Sequence, residues 1–310
     1  MISRQGETPL EKTIYVLKNM NLFDMSPFKE KEAYFRRLLD VANVNALSPK
    51  ERATYDENLK IYRDWKATME YAVEEAAAAG MTEMIFVTGR NKRAIEDHFD
   101  AYPELERELA EKGKDELLEI VKSIVPPGVK CIYIRQPKAL GLGHAVLCAE
   151  PVVGDEPFAV MLADDLVDAP SSCVGQLVKA REAQGGGSVV AVQDVAPEET
   201  KKYGIVSVDD AEERTARMRG MVEKPDPAVA PSRLAVIGRY VFEPEIFKHL
   251  AGLEAGVGGE IQLTDGISAS LADTPCWAHR FEGTRFDCGS KQGFLDATVH
   301  FARKRGFRIN

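Results

Sequence analysis

The stretch Phe158-Ala-Val-Met-Leu-Ala-Asp-Asp165 joins an apolar run to a pair of acidic residues. A short apolar run that ends at polar residues is typical of a strand buried inside a sheet. Residues 158–162 are therefore predicted to form a strand, the most buried one of the chain. The acids follow its carboxyl end, which is where open α/β sheets bind their ligands.

Helices and strands alternate on both sides of this stretch. Short β-branched runs separated by helical patterns predict an α/β fold with a mixed, mostly parallel sheet flanked by helices. After Gly185-Gly-Gly187 the strands are longer and closer together, which adds a more antiparallel layer. The other predicted strands are 84–88, 130–134, 188–192, 203–208, 218–222 and 234–242, with one more before Asp287. The predicted helices are 74–79, 92–99, 103–125, 244–250, 261–271 and 291–304, with one more after Gly143.

The first 70 residues are charged and show no β-type alternation. Ser26-Pro27 and Ser48-Pro49 are helix start signals, with serine as N-cap and proline at the first helical position. Apolar residues then recur at helical spacing. We therefore predict an α-helical segment over residues 1–70, a packing module in preference to a binding site, followed by the α/β domain over residues 71–310.

The composition limits the partners and the compartment of this chain. A net charge of −9 over 310 residues argues against a nucleic-acid partner, which requires a basic face. The five cysteines are scattered with no C-x-x-C pair, which favours reduced thiols in the cytoplasm. No run of about 18 apolar residues is present, so no membrane partner is expected.

Acidic residues follow two predicted strands. Asp164 and Asp165 end the strand described first, and Asp287 stands in Phe286-Asp-Cys-Gly289 before the last helix. Two carboxylates that converge there would form a Mg²⁺ site, whereas the alternative for each is a helix cap or a solvated loop residue. The five histidines include no pair at metal spacing, which argues against zinc.

Three further patterns have both a functional and a structural interpretation. Gln136 and Gly141 lie between a strand and a helix. In the functional interpretation the glycine lets a ligand approach the backbone closely and the glutamine pairs with a base edge. In the structural interpretation both belong to an ordinary turn. Glu223 and Lys224 end another strand and offer an acid for sugar hydroxyls beside a cation for phosphate, or form a charged surface turn. Glu260 precedes a predicted helix and is open to either interpretation.

These motifs occur together and in one order. In that arrangement the chain resembles the bacterial UDP-glucose pyrophosphorylases, also called UTP–glucose-1-phosphate uridylyltransferases. The resemblance covers about residues 71–310 and implies a nucleotidyltransferase-type, Rossmann-like fold. The matching stretches are 71–76, 86–92, 94–99, 141–148, 151–157, 222–225, 238–240, 259–265 and 287–291.

The resemblance implies a role for each candidate residue. Asp164 and Asp287 would be the Mg²⁺ ligands, with Asp165 as the alternative to the former. Lys224 would hold the phosphate of glucose 1-phosphate and, with these two aspartates, make up the catalytic set. The remaining substrate-binding residues would be Gln136 and Gly141 at the uracil, Glu223 at the glucose hydroxyls, and Gly204 and Glu260 lining the sugar pocket.

The same resemblance implies the reaction and its partners. In this family glucose 1-phosphate attacks the α-phosphorus of UTP, which gives UDP-glucose and pyrophosphate. The chemistry depends on positioning and on charge neutralisation by metal and cations. The resemblance also implies self-association into a homo-oligomer. The related thymidylyltransferase chemistry is the more distant alternative, because 259–265 and 287–291 match the uridylyl family.

The family's first strand and its loop of the form A-G-x-G-T-R have no counterpart before Tyr71, and no G-x-G-T-R stretch occurs anywhere in the sequence. Residues 10–72 instead resemble the C-terminal helical end of PD-(D/E)xK nuclease-family transposases, without the nuclease's catalytic residues. The two resemblances meet near 68–76, as in a gene fusion. We expect unpaired strand edges and greatly reduced or absent turnover, with a sugar-nucleotide-binding pseudoenzyme or an inert fusion product as the alternatives.

Overall fold

The structure is a computed structural model that describes residues 66–90 and 92–306. The predicted helical segment over 1–70 lies almost entirely outside these residues. The helices are α1 (66–78), α2 (Ala94–Phe99), α3 (Pro103–Glu111), α4 (Asp115–Lys122), α5 (Leu142–Leu147), α6 (Glu150–Val153), α7 (Cys173–Ala183), α8 (Ile246–Ala251), α9 (Leu263–Ser270) and α10 (Lys291–Lys304). Short 3₁₀ turns occur at Pro197–Lys202 and Val257–Gly259.

Ten strands of the described residues form three sheets. They are β1 (Glu83–Thr88), β2 (Lys130–Arg135), β3 (Phe158–Met161), β4 (Asp165–Asp168), β5 (Ser188–Asp194), β6 (Gly204–Val208), β7 (Thr215–Glu223), β8 (Leu234–Phe242), β9 (Cys276–Arg280) and β10 (Thr284–Asp287). β1 pairs with β2, β4 pairs with β10, and the other six strands form one sheet in the order β3-β8-β5-β9-β7-β6. The expected mixed α/β class, with helices and sheets combined, is confirmed.

The direction of the ladders differs from the expected mostly parallel sheet. Only β1–β2 and β5–β9 are parallel among the described pairs, and the others are antiparallel. For β6 and β7 the reason is the length of the connection. A parallel pair needs a crossover of about a dozen residues or more, whereas residues 209–214 between these two strands suffice only for a hairpin.

The strand expected to be the most buried is not. Each residue of β3 is only partly buried, whereas all nine residues of β8 are buried. β3 pairs with β8 along one edge, and no other described strand pairs with it. β1 likewise pairs only with β2 among the described strands. Among the described strands, β3 and β1 therefore each have a single neighbour, and the unpaired edges expected from an absent first strand stay a prediction.

Two local predictions also need correction. The helix predicted over 103–125 is divided into α3 and α4, because Gly113 between them has a φ of +61° and ends the first helix. Strands β4 and β9 were not predicted, since β4 begins and ends with aspartate and β9 is short and polar in part. No helix in the described ranges is long and apolar enough to cross a bilayer.

The core has a separate cluster on each side of these sheets. Phe242 and Leu250, both fully buried, belong to the largest cluster, between β8 and the helices α8 and α9. A second cluster covers the other face beneath α7, where Leu177 is fully buried. A third lies around β1, where the rings of Phe86 and Phe99 stack with centroids 4.8 Å apart. These clusters hold the strand ends that carry the acidic residues.

Candidate active site

The two adjacent aspartates after β3 have different surroundings. Asp165 is buried, and its carboxylate accepts hydrogen bonds from Arg285 Nε at 2.5 Å and from the Gly238 amide at 2.6 Å. Burial raises the pKa of Asp165, against the lowering effect of the neighbouring Arg285 charge and the Gly238 amide. Asp164 is exposed. Because both oxygens of Asp165 are already bound, Asp164 is the aspartate of this pair that can take an external ligand.

Asp164 and Asp287 meet at Gly289. The amide of Cys288 donates to the Asp164 carbonyl at 2.7 Å, which joins the turn after β3 to the end of β10. A methyl group added to Gly289 would lie 3.1 Å from Asp287 Oδ1 and 3.2 Å from Asp164 Oδ2. Two carboxylate oxygens therefore border one small space that only glycine leaves open.

The donor set of this space fits a hard cation. Mg²⁺ is commonly held by one or two carboxylates and completes its octahedron with water and substrate phosphates. Asp164 and Asp287 supply such a pair. Within residues 66–90 and 92–306, no group of three or more histidine, cysteine or acidic residues could hold a metal ion. Water molecules, and the phosphate oxygens of a substrate when one is bound, would complete the coordination of a cation held by Asp164 and Asp287.

Lys224 has an unusual backbone conformation. Its φ is +46°, and it is the single non-glycine residue with a positive φ in the part of the chain that the structure describes. Such a conformation costs on the order of 1 kcal/mol and persists where the surroundings hold it. Here the Lys224 amide donates to the Tyr203 carbonyl at 3.0 Å. The exposed Lys224 Nζ lies 3.3 Å from Glu223 Oε1, so a cation and an acid are presented side by side.

Gly204 lies directly across the ladder from Glu223. A side chain at Gly204 would begin 3.4 Å from Glu223 Oε2, 2.4 Å from Met221 Cε and 3.0 Å from Thr264 Cγ2. Glycine is therefore required for β6 to pass this close to its neighbours. Thr264 belongs to α9, the helix that follows Glu260, so this helix packs against the Glu223 region.

Gln136 and Gly141 form one loop after β2. Gln136 Nε2 donates to the Gly141 carbonyl at 3.0 Å and lies 3.0 Å from His144 Nδ1. Among the described residues none donates to Gln136 Oε1, so this oxygen is the part of the side chain that can accept a bond from a ligand. Gly141 has a φ of +93°, and a Cβ there would be 2.9 Å from Glu260 Cβ.

Two backbone hydrogen bonds tie this loop to the chain after Glu260. The Ile261 amide donates to the Leu140 carbonyl at 2.7 Å, and the Gly143 amide donates to the Ile261 carbonyl at 2.9 Å. The segment with Gln136 and the segment with Glu260 consequently form one rigid wall.

Arg285 connects the acidic residues to the Lys224 region and was not identified from the sequence. Its Nη1 donates to the Tyr203 hydroxyl at 3.1 Å, and its guanidinium lies 5.1 Å from the centre of the Tyr203 ring. Nη2 lies 3.8 Å from Asp287 Oδ2. One signal for it was available, because residues two apart in a strand share a face, and Arg285 precedes Asp287 by two in β10.

The candidate residues therefore fall into three groups: Asp164 with Asp287, Gly204 with Glu223 and Lys224, and Gln136 with Gly141 and Glu260. Arg285 and Tyr203 connect the first group to the second, and Thr264 connects the second to the third. The first group offers oxygen ligands for a cation, and the second offers a charged pair. The third offers a loop in which Gln136 Oε1 accepts no hydrogen bond from the described residues. Such a combination suits a phosphorylated ligand with a polar base.

The fold and this set of groups agree with a comparison against protein families. A family model described as "Nucleotidyl transferase" matches residues 47–304. The chain is thus a nucleotidyltransferase by fold. A second model, the PD-(D/E)XK nuclease family transposase, matches residues 2–72. The two matches overlap over 47–72.

Comparison with individual relatives identifies a narrower family within the nucleotidyltransferases. The UTP–glucose-1-phosphate uridylyltransferase of Bacillus subtilis (strain 168) is 50% identical over 237 residues, which are 76% of this chain and 80% of the relative. The solved structure of a UDP-glucose pyrophosphorylase complexed with UDP-glucose is 40% identical with a TM-score of 0.68, and covers 76% of this chain and 87% of its own. UTP-bound UGPase from Acinetobacter baumannii is 39% identical with a TM-score of 0.70, over 76% of this chain and 82% of its own. The chain belongs to the UTP–glucose-1-phosphate uridylyltransferase family.

Proposed function

We propose that this chain binds Mg²⁺, uridine nucleotides and glucose 1-phosphate at the candidate site, and that its reaction is the conversion of UTP and glucose 1-phosphate to UDP-glucose and pyrophosphate. The observation that carries the proposal is the convergence of Asp164 and Asp287 at Gly289. The relatives bound to UDP-glucose and to UTP support the choice of ligands.

In this proposal each group has one task. Gln136 and Gly141 contact the uracil, and Glu223, Gly204 and Glu260 surround the glucose. Lys224 binds the phosphate of glucose 1-phosphate and so places its oxygen in line with the α-phosphorus of UTP. Charge in such phosphoryl chemistry spreads over the oxygens of the transferred group, and positioned cations stabilise it.

Asp164 and Asp287 would hold the Mg²⁺, which supplies charge neutralisation at the phosphates when bound. Arg285 keeps Asp165 away from that task by binding its carboxylate. The two aspartates therefore have separate roles, one toward the ligand and one toward the protein.

We further propose that turnover is far below that of relatives with a G-x-G-T-R loop, since no such stretch occurs in the sequence. The loop carries backbone donors and a cation that face the triphosphate. Loss of one preorganised donor of this kind costs about 10²–10³ in rate, and several are involved here.

We also propose that the chain divides near residue 70 into a helical segment and the nucleotidyltransferase domain, which the end of the transposase match at residue 72 supports.

Pyrophosphate release from UTP and glucose 1-phosphate with Mg²⁺ tests both proposals. The Bacillus subtilis relative, assayed in parallel, sets the full rate. We expect a rate at least about 10²-fold lower, abolished by Asp164→Asn. A rate equal to that of the relative would contradict the reduced-turnover proposal, and a rate unaffected by Asp164→Asn would contradict the assignment of the site.

A sugar-nucleotide-binding pseudoenzyme is the second candidate, favoured by the intact contacts among Gly204, Glu223 and Lys224. Calorimetry with UDP-glucose separates it from an inert fusion product. Binding without turnover would establish the pseudoenzyme, whereas no heat at millimolar ligand and a non-cooperative melt would leave the inert product.

A further inference from the structure

Arg239 is a fully buried cation in the middle of β8. Its side chain has 0% exposure, and its partner Glu75, on α1, has 3%. Arg239 Nη2 lies 2.8 Å from Glu75 Oε2, and Nε donates to the same oxygen at 3.1 Å. Buried charged side chains are rare, and a pair of them contributes little net stability compared with apolar residues of the same volume. Stability alone therefore does not account for this pair.

The guanidinium also binds the turn that carries Asp164. Nη1 donates to the Leu162 carbonyl at 2.8 Å, and Nη2 donates to the Asp165 carbonyl at 2.6 Å. These two carbonyls stand on either side of Asp164. The Asp164 carbonyl itself accepts from the Cys288 amide at 2.7 Å. The backbone around Asp164 is consequently held from three directions, while its carboxylate remains exposed.

We propose that Arg239 is a positioning residue for the cation site: it fixes the direction in which the Asp164 carboxylate leaves the turn. The inference rests on the proposed role of Asp164 as a cation ligand. Groups that orient metal ligands from behind commonly change metal affinity about 10–100-fold when they are replaced. Because Glu75 neutralises the guanidinium charge, Arg239 can bind the turn from inside the core.

Only arginine meets both requirements at this position. Its planar fork presents five N–H groups, enough for Glu75, the Leu162 carbonyl and the Asp165 carbonyl together. A lysine keeps the charge for Glu75 but has one ammonium on a flexible stem. It therefore cannot reach both carbonyls of the turn while it pairs with Glu75.

The test is the affinity of the full-length chain for Mn²⁺, counted as free Mn²⁺ by electron paramagnetic resonance. We expect Arg239→Lys to weaken Mn²⁺ binding about tenfold and Asp164→Asn to abolish it. Arg181→Lys is the matched control, since Arg181 also binds a glutamate with two nitrogens, Nε to Glu243 Oε1 at 2.8 Å and Nη2 at 2.7 Å, away from the turn. It should leave Mn²⁺ affinity unchanged.

Thermal melts of the same variants separate positioning from stability. A merely structural Arg239 would lower the melting temperature in Arg239→Lys and leave Mn²⁺ affinity equal to that of the wild type, which would overturn the inference. If wild type and Asp164→Asn bind Mn²⁺ equally, the proposed cation site is wrong and the inference falls with it. If Arg239→Lys does not fold, Glu75→Gln/Arg239→Gln replaces it, because that pair removes the buried charge together with the two carbonyl contacts. The same tenfold loss is expected.

Discussion

Replacing Glu75 by glutamine removes one charge from a pair that water does not reach. In the wild type, Glu75 Oε2 binds Arg239 Nη2 and Nε, and Glu75 Oε1 accepts from the Val174 amide at 3.2 Å. Glutamine keeps the shape and one acceptor oxygen, but leaves the guanidinium without a counter-charge. Removal of one member of a buried pair costs about 3–5 kcal/mol, and the retained acceptor places this variant near 3 kcal/mol.

Urea unfolding followed by circular dichroism measures this cost. With a slope near 3 kcal/mol per M, a loss of about 3 kcal/mol lowers the unfolding midpoint by about 1 M. Asp209→Asn is the matched control. Asp209 binds Arg219 through two nitrogens, with Nη2 at 2.6 Å, but the two side chains are 47% and 59% exposed. Water screens an exposed pair, so the midpoint of Asp209→Asn should fall far less than that of Glu75→Gln.

The comparison isolates burial, because both pairs join an arginine to a carboxylate through two nitrogens. Equal midpoint shifts in Glu75→Gln and Asp209→Asn would refute the reasoning, since burial would then make no difference. The double variant Glu75→Gln/Arg239→Gln gives a second check. It should recover more than half of the loss, because no uncompensated charge remains in the core.

Three other predictions concern the site and the sheet. Gly204→Ala places a methyl group 2.4 Å from Met221 Cε and 3.4 Å from Glu223 Oε2, so calorimetry should show UDP-glucose binding about tenfold weaker, and unchanged affinity would argue against this pocket. Lys224→Gly should raise the free energy of unfolding by up to about 1 kcal/mol, because glycine tolerates the φ of +46°. The same variant should weaken glucose 1-phosphate binding. Lys224→Ala should weaken that binding without raising the free energy of unfolding. Burial, with a smaller effect of a nearby arginine charge, lowers the pKa of His279 from 6.5 to about 4. The unfolded chain therefore binds the proton first, and about 2 kcal/mol of stability should be lost as pH falls from about 6.5 to 4, a loss that His279→Gln should not show in urea titrations.

Local patterns were sufficient for the elements with strong signals. Strand Leu234–Phe242 and helix Lys291–Lys304 have the bounds that the sequence predicted. The strand consists of apolar and aromatic residues apart from Gly238 and Arg239, and the helix begins after Ser290, whose side chain accepts from the Gly293 amide. The single helix predicted over 103–125 was wrong, because the spacing of apolar residues contains no information about a change of φ at one residue, here Gly113.

Chain direction and burial were harder to predict. The apolar run of β3 suggested the most buried strand, yet its burial depends on which strands lie beside it. Likewise β5 and β9 are neighbours although more than 80 residues separate Ser188 from Cys276. Pairings of that range depend on the arrangement of the whole sheet, which local propensity does not contain.

By itself, the sequence determined which side chains are available: acids after two strands, an acid beside a lysine, and glycines where the backbone must pass closely. Only the tertiary structure decided which role each of these side chains can have. It bound the carboxylate of Asp165 to Arg285 and left Asp164 exposed beside Asp287. It also brought Glu75 to Arg239 across 164 positions of the chain. The physical reason is that burial and charge pairing belong to the folded surroundings of a residue, and two adjacent aspartates with the same intrinsic chemistry acquire different roles only when those surroundings form.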